Sequence, residues 1–318
     1  MAINLHVGAP ASASIERQVA FIARAETLGF SGAGVADDAR FVDPFETLTA
    51  AAGETSRIWL YPAVTNPVTR SAAAQAKSIQ ALSEVAPGRV KLAIGAGDAA
   101  LATGTRPSKL RDLKKAVVDI REILGEGSIA LFDRVPVGTP SELLPPPVMM
   151  AASGPRTLEA AGAVADEVLV TSGLSLEARE AVTEAIAEGA IQARRRVRQV
   201  PITYYTLVSV HEDRETAIER ARPWIHFWLK QGMFRLSMRA MGIPAPAFPT
   251  PESIPTQFMR RLANTLVLAG TPHEVAAKVA RLDEDGVSTL FCMLPGGPKM
   301  HEQSLGLIAG HLLPVGQR

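Results

Sequence analysis

The sequence predicts an α/β fold, a (β/α)8 TIM barrel with an insertion before the last helix–strand unit. Three observations predict it. Short strand-like apolar runs alternate with amphipathic helical stretches. The runs stay apolar at consecutive positions, the pattern of parallel strands covered on both faces. Eight of them occur, and 318 residues suit a barrel with insertions, which accounts for residues 1–318 as one domain. A doubly wound sheet alternates in the same way and is the competing topology.

Taken in order, residues 3–9 form the first strand. Ile15, Val19, Ile22 and Ala23 then share a helical face that Leu28-Gly29 ends. Residues 32–38 are the second strand; Asp43 is an N-cap and Pro44 the N1 residue of a helix over 43–57. A third strand over 58–66, a helix over 71–88 stopped by Pro87-Gly88, and a fourth strand over 89–98 follow. The helix over 108–127 aligns Leu110, Leu113, Val117, Ile120 and Leu124 on one stripe. A proline-rich connector (136–147) leads to a strand over 148–154, a helix over 155–165 and a strand over 166–173. Next come a helix over 175–197, a strand over 202–212 and a helix over 213–234. Residues 235–265 carry Pro244, Pro246, Pro249, Pro251 and Pro255, which no single regular element tolerates. This insertion is read as a mobile wall or lid over the barrel mouth. A helix over 271–286, a strand over 288–297 and a terminal helix complete the chain.

Composition narrows the function. With 47% hydrophobic and 20% charged residues a large core is within reach. Aromatics at 5% argue against stacking surfaces for single-stranded nucleic acid, and a net charge of +1 gives no polyanion-binding field. The single cysteine, Cys292, forbids an internal disulfide and any multi-cysteine metal site. Neither a signal peptide nor an apolar run of membrane-spanning length is visible. The expectation is a cytoplasmic protein with a small-molecule substrate, no nucleic-acid partner, no membrane partner and no metal.

In such a barrel the chemistry sits at the C-terminal strand ends. Here these read Asp37-Asp38, Ala63-Val64-Thr65-Asn66, Gly95-Ala96-Gly97-Asp98, Ala152-Ser153-Gly154 and Thr171-Ser172-Gly173. Small residues there let a ligand approach the backbone. Ser153-Gly154-Pro155 opens a helix whose free N–H groups suit an anion, and Ser172-Gly173 is a second segment of that kind; ordinary capping is the alternative for each. Residues 95–100 imitate a dinucleotide fingerprint, but Asp98 would face the pyrophosphate and three βα units precede it. Asp37, Asp38 and Asp98 are carboxylates at neighbouring strand ends, able to divide acid and base roles. His6 reads as a structural histidine on the first strand, and His226 and Trp228 as helix packing or a pocket wall. The basic run Arg194, Arg195, Arg196 and Arg198 reads as a solvated face.

These residues carry a resemblance. The segments ETLGFSGAGVADD, DPFETLTAAAGETSRIWLYPAVTNPVTR, GRVKLAIGAGD, PPPVMMAASGPRTLEAAGAVADEVLV and LAGTPHEVAAKVARLDEDGV resemble the bacterial luciferase-like superfamily. Within it they are most similar to the deazaflavin-dependent branch that includes methylenetetrahydromethanopterin reductase. The resemblance covers residues 1–175 and 265–295. It implies a barrel that holds a flavin or deazaflavin at the strand ends. Asp37 matches the acid ending strand 2; Asp38 stands where the family usually has His. Ala63-Val64 matches a non-prolyl cis peptide behind the ring. Ala96 and Asp98 match positions near the ring, and Ala152, Ser153 and Gly154 match a segment contacting the cofactor side chain and phosphate. The implied function is hydride transfer between coenzyme F420 and a small organic substrate, with Asp98 moving the proton and Asp38 as second candidate. The alternatives are an FMN-dependent monooxygenase served by a flavin reductase and oxygen, and a non-catalytic flavin-binding barrel. The resemblance also implies a homodimer through the early helices.

Overall fold

The strand β1, Asn4–Gly8, pairs in parallel with β2, Gly32–Val35, on one side and with the last strand, β9, Thr289–Met293, on the other. From this centre the hydrogen-bonded order runs β3-β2-β1-β9-β7-β6-β5-β4. Here β3 is Trp59–Pro62, β4 Leu92–Ile94, β5 Val148–Ala152, β6 Glu167–Val170 and β7 Ile202–Val210. Parallel bridges Leu60–Val90 and Thr65–Ile94 draw β3 toward β4, so the eight strands form a nearly closed barrel. The structure, a computed structural model, describes residues 3–11, 14–126, 144–195, 199–244 and 247–313. Residues 136–143 of the proline-rich connector, Pro246, Arg196 and Arg198 lie outside them.

Short polar signals set the helix boundaries. Ser14 caps α1, Ile15–Leu28, and Gly29 closes it in the left-handed conformation at φ 98°. Asp43 caps α2, Pro44–Glu54, with Pro44 at its first position, as the sequence predicts. Ser71 caps α3, Ala72–Val85; α4 spans Leu110–Glu126 and α5 Pro155–Val164. Ser175 caps α6, Leu176–Gln192, and Asp213 caps α7, Arg214–Gln231. The helices α5 and α6 touch through glycine. A Cβ on Gly162 would stand 2.0 Å from the Ile186 carbonyl oxygen, and one on Gly189 would stand 1.8 Å from that of Glu159.

Two features depart from the sequence reading. Among the described residues a further strand, β8, Leu268–Gly270, pairs with the last three residues of β7, Val208–Val210. It is three residues long, too short to show an alternating pattern. Arg195 is not part of a solvated face: its Nη1 donates to the carbonyls of Gly162 and Ala165, both at 2.7 Å. Carbonyls at the end of α5 lack helical partners and take a nearby cation instead.

The insertion is broken, as its prolines require. It contains α8, Arg235–Ala240, a 3-10 turn at Pro251–Ser253 and α9, Thr256–Thr265. With α7 and β8 these elements enclose a hydrophobic cluster of their own, including Ile225, Trp228, Phe234, Met238, Met259 and Leu262. The chain ends with α10, Pro272–Glu284, β9 and α11, Pro298–Leu312. Among the described residues no helix is long and apolar enough to cross a membrane.

Candidate functional site at the barrel mouth

The barrel interior is filled in layers, and the layers change character from bottom to top. At the bottom Lys91 Nζ pairs with Glu167 at 2.7 Å and lies 4.8 Å from the Trp59 ring centroid. The middle layer holds Tyr61, Ala93, Met149, Leu169 and Phe291, with Tyr205 stacked on Phe291 at 4.9 Å. His6 completes it: its Nδ1 is 2.6 Å from Tyr61 Oη. Gly32 is required beside it, because a Cβ there would lie 2.4 Å from the imidazole. Burial, with Lys91 adding to it, pushes the His6 pKa down to about 3. Burial raises that of Tyr61 well above 10. Both groups are therefore uncharged at neutral pH.

The top layer is almost without side chains. Gly8, Gly34, Ala63, Gly95 and Ala151 come from five strands and their ends. A Cβ on Gly34 would stand 2.6 Å from that of Ala63, and one on Gly95 would stand 2.8 Å from Val64 Cγ2. One on Gly8 would stand 3.3 Å from the Phe291 ring. The result is a shallow floor of methyl groups and backbone over an aromatic layer, with Gly8, Ala63, Val64 and Ala151 half-buried. The peptide bond between Ala63 and Val64 is cis, as the resemblance implies.

Polar groups rim this floor. Asp37 accepts hydrogen bonds from Thr65 Oγ1 at 2.7 Å and Arg70 Nε at 3.0 Å. Arg70 also pairs with Asp43, the cap of α2, so one guanidinium ties two carboxylates to the rim. Asp38 takes a bidentate pair from Arg40, at 2.9 and 2.6 Å. These hydrogen bonds hold its carboxyl below the usual carboxylate range. Asp98 opens a 3-10 turn, Asp98–Thr103, and is exposed, with no hydrogen-bond or ion-pair partner among the described residues. Ala96 is half-buried, and its carbonyl is held by Ser108 N–H at 2.8 Å.

On the opposite rim, Ala152 ends β5 and Ser153 is half-buried. Gly154 is the N-cap of α5, but its N–H is donated to Thr157 Oγ1 at 3.1 Å, so the capping alternative holds for that group. Ser172 is buried, and among the described residues its hydroxyl has no hydrogen-bond partner. Gly173 adopts φ 91°, and a Cβ there would stand 2.8 Å from Ser237 Oγ of α8. The insertion therefore packs directly against the end of β6. Sequence reasoning placed Thr65 at a strand end without giving it a partner, and did not single out Arg70 or Tyr61. Arg70 lies 33 positions from the Asp37 it fixes, and Tyr61 lies 55 from His6. No local pattern announces such pairs.

The sequence profile of the luciferase-like monooxygenase family matches residues 2–289. Among relatives, a 5,10-methylenetetrahydromethanopterin reductase of Methanolobus tindarius is 29% identical over 306 residues, 91% of this chain and 93% of its own. An F420-dependent glucose-6-phosphate dehydrogenase of Rhodococcus jostii is 28% identical, over 78% of this chain and 77% of its own. The solved coenzyme F420 dependent tetrahydromethanopterin reductase of Methanopyrus kandleri has a TM-score of 0.79 at 23% identity, with 99% of both chains covered. A type II Baeyer–Villiger monooxygenase of Pseudomonas putida, solved with FMN, has a TM-score of 0.72 at 18% identity, again over 99% of both chains. These two likenesses are likenesses of fold. With the profile spanning most of its length and the barrel in place, the chain belongs to the luciferase-like monooxygenase family.

Proposed function

We propose that this protein transfers a hydride between coenzyme F420 and a small organic substrate at the barrel mouth. The observation that carries the reading is the floor of Gly8, Gly34, Ala63, Gly95 and Ala151, which presents backbone and methyl groups against which a flat ring can lie. The glucose-6-phosphate dehydrogenase relatives, named as F420-dependent, support the deazaflavin over a flavin.

The residues present fit such a group. The floor takes a planar face, and the buried Ser172 hydroxyl just beyond β6, unpartnered among the described residues, would donate to an anionic side chain. When bound, the coenzyme supplies the hydride chemistry; the protein positions it and controls protons. Asp37 is fixed as an acceptor by Thr65 and Arg70, so it orients rather than reacts. Asp38, held as a carboxylate by Arg40, is a poor proton donor at neutral pH. Asp98 is unpaired at the end of the strand 4 segment and is the group free to give or take the proton at its carboxylate.

Equilibrium titration of the full chain with coenzyme F420 and with FMN tests the assignment. Saturable F420 binding is expected. Tight FMN binding without F420 affinity reassigns the barrel to flavin-dependent oxygenation, and cofactor binding without turnover across a broad substrate screen makes it a binding protein.

A further inference from the structure

We propose that the insertion carries a second binding site, for an organic carboxylate with a flat apolar body. A cavity of about 330 Å3 lies between the C-terminal end of α7, helix α8 and residues 247–249, within the range of small-molecule sites. Its inner wall is Phe234 and Met238, both buried, with Phe248 braced at 5.6 Å by Phe258. His226 Nε2 is 2.9 Å from the Phe248 carbonyl oxygen and ties this wall to α7.

Two cations stand over the apolar wall. Lys230 is in the last turn of α7 and Arg235 is the first residue of α8. Between them Gly232 adopts φ 72°, and a Cβ there would lie 2.8 Å from Arg235 Nε. The arginine is thus folded back over the turn that bears the lysine. Among the described residues no carboxylate pairs with either cation, and no acid lines the cavity. Glu252, the acid whose field reaches His226, is also opposed by Arg222. An apolar wall beneath two unneutralised cations matches a carboxylate on an aromatic body: the ring packs on Phe234, Met238 and Phe248, and the anion takes charge-assisted hydrogen bonds.

The site is separate from the barrel floor. Phe234, Trp228 and Tyr205 stand in sequence between them, with ring centroids 5.6 and 5.7 Å apart. Nothing in the proposal depends on the coenzyme assignment. The competing role for Lys230 and Arg235 is to complement the C-terminal dipole of α7.

Calorimetric titration of the full chain with naphthoate and with its neutral isostere naphthamide decides between them. Naphthoate is expected to bind saturably, and naphthamide about ten- to a hundredfold more weakly, the factor of one charge-assisted hydrogen bond. The double variant Lys230→Gln/Arg235→Gln should lose the same factor for naphthoate at an unchanged thermal midpoint. Absence of saturable naphthoate binding, equal affinity for the amide, or a double variant with lowered thermal midpoint and unchanged affinity would each overturn the proposal.

Discussion

His6 and Tyr61 meet inside the barrel, imidazole Nδ1 to phenol oxygen at 2.6 Å, one aromatic layer below the floor of the mouth. The pair is uncharged when folded, and that gives stability a pH dependence. The His6 pKa lies at about 3 in the fold against 6.5 in the open chain. The unfolded state therefore binds a proton that the folded state refuses. The contribution of His6 is complete above pH 6.5 and is lost as pH falls toward 3, at about 1.4 kcal/mol per unit. Urea unfolding from neutral pH down to about 5 should show the wild type losing stability more steeply than His6→Leu/Tyr61→Phe. Parallel slopes would remove His6 from this role.

The contact between α5 and α6 is tighter than any side chain allows. Gly189→Ala places a methyl group 1.8 Å from the Glu159 carbonyl oxygen, where only backbone movement relieves it. A loss of about 1–3 kcal/mol is expected, typical of overpacking. Gly53 has open space at its Cβ and is the control. A thermal midpoint for Gly189→Ala equal to that of Gly53→Ala would show that the helices separate freely.

Filling the floor tests the ring site directly. Ala151 is half-buried at the mouth, and Ala151→Leu projects a branched side chain over Gly95 and Val64. Coenzyme affinity should fall about a hundredfold or more, as expected when a site of fixed shape is overfilled. Circular dichroism should remain that of the wild type. Retained affinity would place the ring elsewhere.

Asp98→Asn separates proton transfer from turn capping. The amide keeps the shape and removes the titratable group, so coenzyme affinity should hold while single-turnover hydride transfer falls about 10²–10⁴-fold. If Asp98 merely caps the 3-10 turn, Asn replaces it nearly as well and turnover hardly changes. Asp38→Asn is the comparison, since Arg40 already engages that carboxylate.

The insertion touches the mouth through Ser237 against Gly173. If it covers the ring, cleavage within 235–265 should slow when coenzyme is added. Limited proteolysis followed by mass spectrometry reads this, and an unchanged cleavage rate would count against a lid.

Much of this was legible in the sequence for local reasons. Asp43-Pro44 marks the start of α2 because both residues act on backbone groups within one turn. Apolar runs mark the eight barrel strands because each is buried on both faces. Glycine and alanine at the strand ends foretold close backbone approach, though not that Gly34, Ala63 and Gly95 form one surface. What stayed hidden depends on distant partners. Arg195 reads as surface charge until the end of α5 arrives beneath it, and Arg70 is unremarkable until Asp37 and Asp43 converge on it. β8 has no signal of its own because three residues are too few to show a period.

Strand β7 belongs to two neighbourhoods. Thr203–Leu207 pair with β9 inside the barrel, and Val208–Val210 pair with β8 beside the insertion. The insertion packs around its own cluster and meets the barrel along this seam and again at the end of β6, where Ser237 and Leu266 stand against Gly173. Drift in α8, α9 and their loops can leave the floor intact, since all five floor residues belong to barrel strands and their ends. The barrel is a fixed socket whose attached insertion is free to vary, so sequence change in one leaves the geometry of the other standing.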